Sequence, residues 1–400
     1  MKVKNFEGLK EAIRKNESTI ELENSISVPE SLHLNKGQKI LATKDDIFLS
    51  FINGDGIAIA GDNEVSNLAI QTAPNRRAIF IDSSEDDLGD IIFADARAFA
   101  EKPLKYGVSI YEGALTVYNF NPKEGSLITL DAQNIKIGRK KAPVIGSGIL
   151  ISGFNDEVGK VEINKLSTSD IYSNGMIPTG QPNLITGGIF ISYGAHANEI
   201  ISEGSVTTYG TNDMVLDVWG TVDKWEVEGK IKSFGPSTIG FVNFGTVKSF
   251  VAKESIKTFG LGARGFNQHD GTIEDAFFEE IITEGDGSIG MQFSRPVGKI
   301  KIGKNISTKG STGKTLVKGE IKELAADGIS VLKDAVIDEL VIGGDIVTHG
   351  DEVVSYHIDN GEVKSLKING EILTKGNNSQ KVVIENNGKT DTKNIEKYIN

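Results

Sequence analysis

A string of the form Ile-x-Thr-x-Gly, or a close variant, returns at a fixed interval through the middle of this chain. It reads VTTYG from Val206, IKSFG from Ile231, IKTFG from Ile256, IITEG from Ile281 and ISTKG from Ile306, each copy 25 residues after the last. IVTHG from Ile346 and ILTKG from Ile372 follow at other spacings. A period of this size marks a stacked architecture with one supersecondary unit per repeat. Two further stations recur inside the unit. Gly240-Phe241, Gly265-Phe266 and Gly290-Met291 stand 25 apart, and Gly220-Val222-Trp225 is echoed at Gly245-Val247-Phe250, Gly319-Ile321-Leu324 and Gly361-Val363-Leu366. Each unit thus carries about three short apolar runs between turn residues, the pattern of strands. Twenty-five residues are too few for a propeller blade, and helical periodicity is missing. The expected fold is all-β: a parallel β-helix in which each strand pairs with its copy in the next coil.

The energetics agree. Ile256 and Thr258 alternate with Lys257 and Phe259, so Ile and Thr share one face of the strand. With the Ile inside, successive copies form an aliphatic ladder at ~4.8 Å spacing, each worth roughly 2 kcal/mol of burial. One coil cannot bury its own ladder, whereas a stack can. The Gly that closes each string is expected to turn the chain with positive φ.

Composition narrows the function classes. Aromatics make up 7% of the residues, which favours aliphatic ladders over an aromatic core. The net charge of −12 speaks against a nucleic-acid surface, which needs a basic stripe, and against adhesion to anionic membranes. Without cysteine there is no disulfide, thiolate metal site or thiol catalysis. The first residues lack the apolar core of a signal peptide, and no run of 18 apolar residues exists, so the cytoplasm is the default location. No phosphate-binding or dinucleotide fingerprint implies a cofactor. The five histidines are scattered, so no metal site is expected.

Along the chain, residues 5–16 read as an amphipathic helix with Asn5 as N-cap and Phe6, Leu9 and Ile13 on one face. An exposed stack end invites aggregation, so this helix is assigned as its plug. The expected organisation is a cap over 1–20, the helix of strands over 21–385 and a polar tail over 386–400. SSEDDLGD (83–90) reads as an acidic surface turn, residues 94–107 as an inserted helical turn, and GRKKAP (138–143) as a solvated basic corner. Residues 174–188, with two prolines and four glycines, read as a long loop outside the stack. The 40-residue interval from Ile306 to Ile346 is read as one shortened coil.

Aligned at the repeat, Leu216, Phe241 and Phe266 point inward, with an Asn243–Gln268 pair. One outward column then holds Asp217, Val242, Asn267 and Gln292, and the next holds Trp219, Phe244, His269 and Ser294. Flat rings beside carboxylates and amides suit a sugar. Trp219 and Phe244 are the stacking candidates; Asp217, His269 and Asp270 the acid–base candidates; Arg264, Asn267 and Arg295 the orienting ones. Asp217 and Asp270, two coils apart, stand about 10 Å or more from each other, marginal for an inverting glycosidase and too far for a retaining one.

The cap helix, coil period, glycine-bounded corners and aliphatic ladders resemble the single-stranded right-handed parallel β-helix proteins of the pectin-lyase-like superfamily. The resemblance implies carbohydrate as ligand class, with polysaccharide lyase or glycoside hydrolase as activities. It carries no catalytic motif onto particular residues. The competing expectation is a non-catalytic structural or interaction protein, such as a phage or surface component. A homo-oligomer is possible, although no long apolar stripe is evident in the sequence.

Overall fold

The repeat winds as its spacing predicts. The computed structural model describes residues 1–81, 101–103, 107–178, 180–317 and 320–399. Ile231, Ile256, Ile281 and Ile306 are direct partners in one parallel ladder, and all four are wholly buried. A representative coil has three faces: Asp213–Val218, Thr221–Val227 and Ile231–Ser233. Each pairs in parallel with its copy in the next coil. On the first face the register runs Leu216, Phe241, Phe266, Met291; on the second it runs Trp225, Phe250, Ala276, Ile300. Thirteen first-face strands form the path of a 15-stranded sheet, and the other two faces share a 19-stranded one. They merge because Lys160–Asn174 is a single strand that pairs with both Ala195–Ser202 and Val206–Thr208. The architecture is a parallel β-solenoid.

The helix Phe6–Arg14 closes the N-terminal end. The Asn5 side chain accepts the Gly8 N–H at 2.9 Å, satisfying one orphan donor of the first turn. Leu9 and Ala12 bury deepest, while Phe6 and Ile13 pack at the margin of the same cluster. At the other end Ile395 is wholly buried, and the Tyr398 hydroxyl accepts the Ile372 N–H at 3.2 Å.

Several expectations are corrected. The closing glycines do not adopt positive φ; that role falls two residues later, at Asn212, Ser237, Gly262 and Gly287. They are glycine because the coils touch there: a Cβ on Gly235 would overlap the Gly210 carbonyl, and one on Gly260 would overlap that of Gly235. Gly240 and Gly265 likewise leave room for the Cγ2 methyls of Ile256 and Ile281. Nor is the interior only aliphatic. Trp225, Phe241, Phe250, Phe266, Phe278 and Phe293 are all buried, with Phe241 and Phe250 stacked at 4.1 Å. The low aromatic content is concentrated in these coils. The inward Asn243–Gln268 pair is present, with Asn243 Nδ2 donating to Gln268 Oε1 at 3.2 Å.

The segment 174–188 is only half a loop. Leu184–Ile191 is a strand whose residues from Ile185 on are buried, and Gly188 sits where a side chain would strike Val206 Cγ1 and the Val215 carbonyl. The interval from Ile306 to Ile346 contains no extra coil, because those residues are register partners. It holds an antiparallel hairpin, Gly313–Val317 with Glu320–Leu324, standing outside the stack. Ile321 and Leu324 therefore belong to the hairpin and not to a second-face station. Residues 138–143 form a turn with Arg139, Lys140 and Lys141 exposed. The acidic turn at 83–90 lies outside the described residues, as do 94–100 and 104–106. Within the 94–107 segment Glu101–Pro103 is a strand, antiparallel to Ser109–Tyr111, in place of the expected helical turn.

Candidate functional site

The outer side of the first face carries most of the residues singled out by their chemistry. Strand alternation puts Asp217, Val242, Asn267 and Gln292 in one column, in register across four coils. At the following corner Trp219 stacks on Phe244 at 4.3 Å and Phe244 on His269 at 4.4 Å, while Phe190, level with Asp217 in the preceding coil, is tilted against Trp219 at 6.1 Å. Arg264 lies at the start of its strand, its Nε donating to Gln292 Oε1 at 2.6 Å. The structure thus gathers Asp217, Trp219, Phe244, Arg264, Asn267 and His269 on one side of one sheet. Asp270 and Arg295 sit one residue farther along the same corner, joined by Arg295 Nε to Asp270 Oδ1 at 3.2 Å.

This outer side is not open. Val242 and Asp217 are wholly buried, and Asn267, Trp219, Ile239 and Ile289 are nearly so. The strand Ser109–Tyr111 lies alongside, in register with Leu184 and Ile185. It contributes Ile110 to a second hydrophobic cluster with Leu150, Ile185, Phe190 and Trp219. Further along, Thr315 of the hairpin bonds Ser237 Oγ at 3.0 Å and packs over Gly262. Trp219 is flanked by Phe190 and Phe244, and Phe244 by Trp219 and His269, so neither offers a bare ring face of the kind a sugar stacks on.

Electrostatics follow burial. The Asp217 carboxyl is pushed well above the usual carboxylate range by desolvation; the Trp219 indole and the Val218 amide pull the other way without offsetting it. Arg264 has no ion-pair partner among the described residues, and burial draws its guanidinium down to about 10. Burial of this kind disfavours the charged form of a carboxyl.

Other clusters drew no attention in the sequence because their members are far apart in it. Arg77 donates to Asp55 Oδ2 at 2.6 Å and to Glu112 Oε2 at 2.9 Å, with all three groups largely buried. His357 is held between Asp327 Oδ2 at 3.0 Å and Glu385 Oε1 at 2.9 Å, and these carboxylates raise its imidazolium to about 9. Asp213, wholly buried, accepts from the Gly175 and Gly210 amides and the Thr186 hydroxyl, and so pins the start of the 175–183 loop. The one signal available was register: His357 falls in the same first-face column as Gln292 and Ser330.

The outer surface of the second face is a lattice of ion pairs between coils. Lys224 meets Glu199, Lys248 meets Asp223, and Lys253 meets both Glu226 and Glu228. A shallow depression of about 1000 Å³ lies farther along it, lined by Glu274, Pro296, Gly298, Lys299, Asp338 and Lys364. Among the described residues no three His, Cys, Asp or Glu side chains converge as metal ligands, and no helix is long and apolar enough to cross a membrane. No protein-family model, curated protein or solved structure matches the chain.

Proposed function

We propose that this chain is a non-catalytic interaction solenoid, a rigid rod that presents its corners and faces to a partner. The observation that carries the reading is the state of the two best acid–base candidates. Asp217 is wholly buried, and Asp270 is tied to Arg295. Hydrolysis or elimination on a polysaccharide needs an acid and a base within reach of one bond. The finer architectural reading, a right-handed helix of the pectin-lyase-like kind, is supported by three strands per coil and the helical plug at the N-terminal end.

The second reading, a carbohydrate-active solenoid, is favoured by one observation. The displaced carboxyl of Asp217 and the uncompensated Arg264 stand beside a ladder of rings, a combination that active sites use. A glycan array combined with a reducing-sugar and unsaturated-product assay separates the two. The interaction reading expects no turnover on any polysaccharide. Turnover that is lost in both Asp217→Asn and His269→Ala would establish the second reading and overturn the first.

A further inference from the structure

The most unusual surface lies at the corner between the third face and the next first face. There the residue before each closing glycine is aromatic in three successive coils: Tyr209, Phe234 and Phe259. Their rings stack along the rod, Tyr209 on Phe234 at 5.3 Å and Phe234 on Phe259 at 4.7 Å, with their planes nearly parallel. Two residues past the ring position the turn carries Met176, Thr211, Pro236 and Leu261 in four successive coils, three of the four apolar. Met176 is 56% exposed, Phe234 44% and Leu261 40%. Large apolar side chains so exposed and so adjacent mark an interaction surface. This one is a convex ridge running along the stack axis.

The two ends of the ridge carry opposite charge. At the N-terminal end the exposed Arg139, Lys140 and Lys141 have no ion-pair partner among the described residues, in contrast to the paired lysines of the second face. Their turn packs against the first ring, with the Tyr209 hydroxyl donating to the Lys140 carbonyl at 3.1 Å. At the C-terminal end the turn positions that held Leu261 and its predecessors become acidic at Asp286, Asp351 and Glu352, with Ser311 in the coil between. All three acidic residues are exposed and outside any ion pair among the described residues. Lys257 and Lys309, in the coils on either side of Glu284, share its single carboxylate. Lys375 falls one coil beyond Asp351.

Basic end, apolar middle and acidic end make a self-complementary strip. We infer that this ridge is a two-fold interface, docking antiparallel on the same ridge of a second copy of the chain. Antiparallel docking about the point between Phe234 and Phe259 sets ring on ring and brings each basic turn onto the partner's Asp351 and Glu352. Register places Ile137 three coils before Ile231 and Ile346 three coils after Ile256, so at ~4.8 Å per coil the basic turn and Asp351–Glu352 lie equally far from that midpoint. A head-to-tail arrangement would leave one charged end of each ridge unmatched. The inference rests on reading the chain as an interaction solenoid. The two fail separately, since a monomer overturns this one and catalytic turnover overturns that one.

Sedimentation equilibrium and light scattering on the full chain test it. A concentration-dependent dimer is expected, with Phe234→Asp plus Leu261→Asp weakening it by at least tenfold while circular dichroism stays unchanged. A basic-end variant (Arg139→Glu, Lys140→Glu, Lys141→Glu) and an acidic-end variant (Asp351→Lys, Glu352→Lys) are each expected to be monomeric alone. Mixed together they should form a heterodimer, because both end contacts are then matched again. A wild-type monomer up to about 100 µM, where even weak specific dimers form, overturns the inference. So does an open polymer, or a mixture of the two charge variants that stays monomeric.

Discussion

Ile306 and Ile346 are register partners in one ladder although 40 residues separate them. Thirteen of the surplus residues enter before Ile329, which pairs with Met291. The remaining two lengthen the corner between Val331 and Val336. The Ile ladder continues unbroken across the insertion, because each coil is held by its neighbours in space and not by the length of the connection.

Excision of residues 313–325 should therefore leave the solenoid intact. The shortened chain is expected to keep its β-sheet circular dichroism and a cooperative denaturant transition. It should lose only about 1–2 kcal/mol, from contacts such as Thr315 to Ser237. Loss of the cooperative transition would show that the hairpin is part of the stack.

The close approach of coils at the third-face corner gives a sharper expectation. Gly235→Ala places a Cβ against the Gly210 carbonyl, and backbone on both sides leaves no side chain to yield. A loss of about 2–4 kcal/mol in urea unfolding is expected. Gly37, where nothing lies within 4 Å but φ is +80°, should lose less as Gly37→Asn, a residue that tolerates this region.

His357 should impose a pH dependence on stability. Its folded pKa is raised from 6.5 to about 9 by the Asp327 hydrogen bond first and Glu385 second, against desolvation. The folded state therefore holds the proton more tightly than the unfolded one. That stabilisation is fully present below pH 6.5 and is lost as pH rises through 9. Thermal or urea unfolding at pH 6 and pH 9.5 should differ by on the order of 1–2 kcal/mol after allowance for solvent screening. The difference should shrink by that amount in His357→Gln.

Asp217 gives the opposite residue class with the same sign. Burial raises its folded pKa well above the ordinary 3.8, so the stability it carries is present in acid and is lost as pH rises toward the folded value. Asp217→Asn, which cannot ionise, should match the wild type near pH 4. It should exceed the wild type at pH 8, as read from denaturant midpoints at the two pH values. A uniform loss at both would show that the carboxyl is a required hydrogen-bond partner in its ionised form.

The winding was legible in the sequence because its cause is repeated locally. Every coil needs an Ile at the ladder and a Gly where backbones touch, so Ile231, Ile256 and Ile281, with Gly235 and Gly260, announce both period and register. Strand parity also fixed which side chains leave the coil, and Asn243 with Gln268 inside and Asp217 with Trp219 outside follow from it. Parity cannot say what then lies over an outward residue. The strand Ser109–Tyr111 and the hairpin at Gly313–Leu324 reach the first face from about a hundred residues away on either side of Asp217. Burial of Asp217, the flanked faces of Trp219 and the displaced charge of Arg264 therefore belong to the tertiary structure alone. So does the ridge at Phe234. Its rings are visible as letters in the repeat, but their alignment into a charged-ended strip exists only once the coils are stacked.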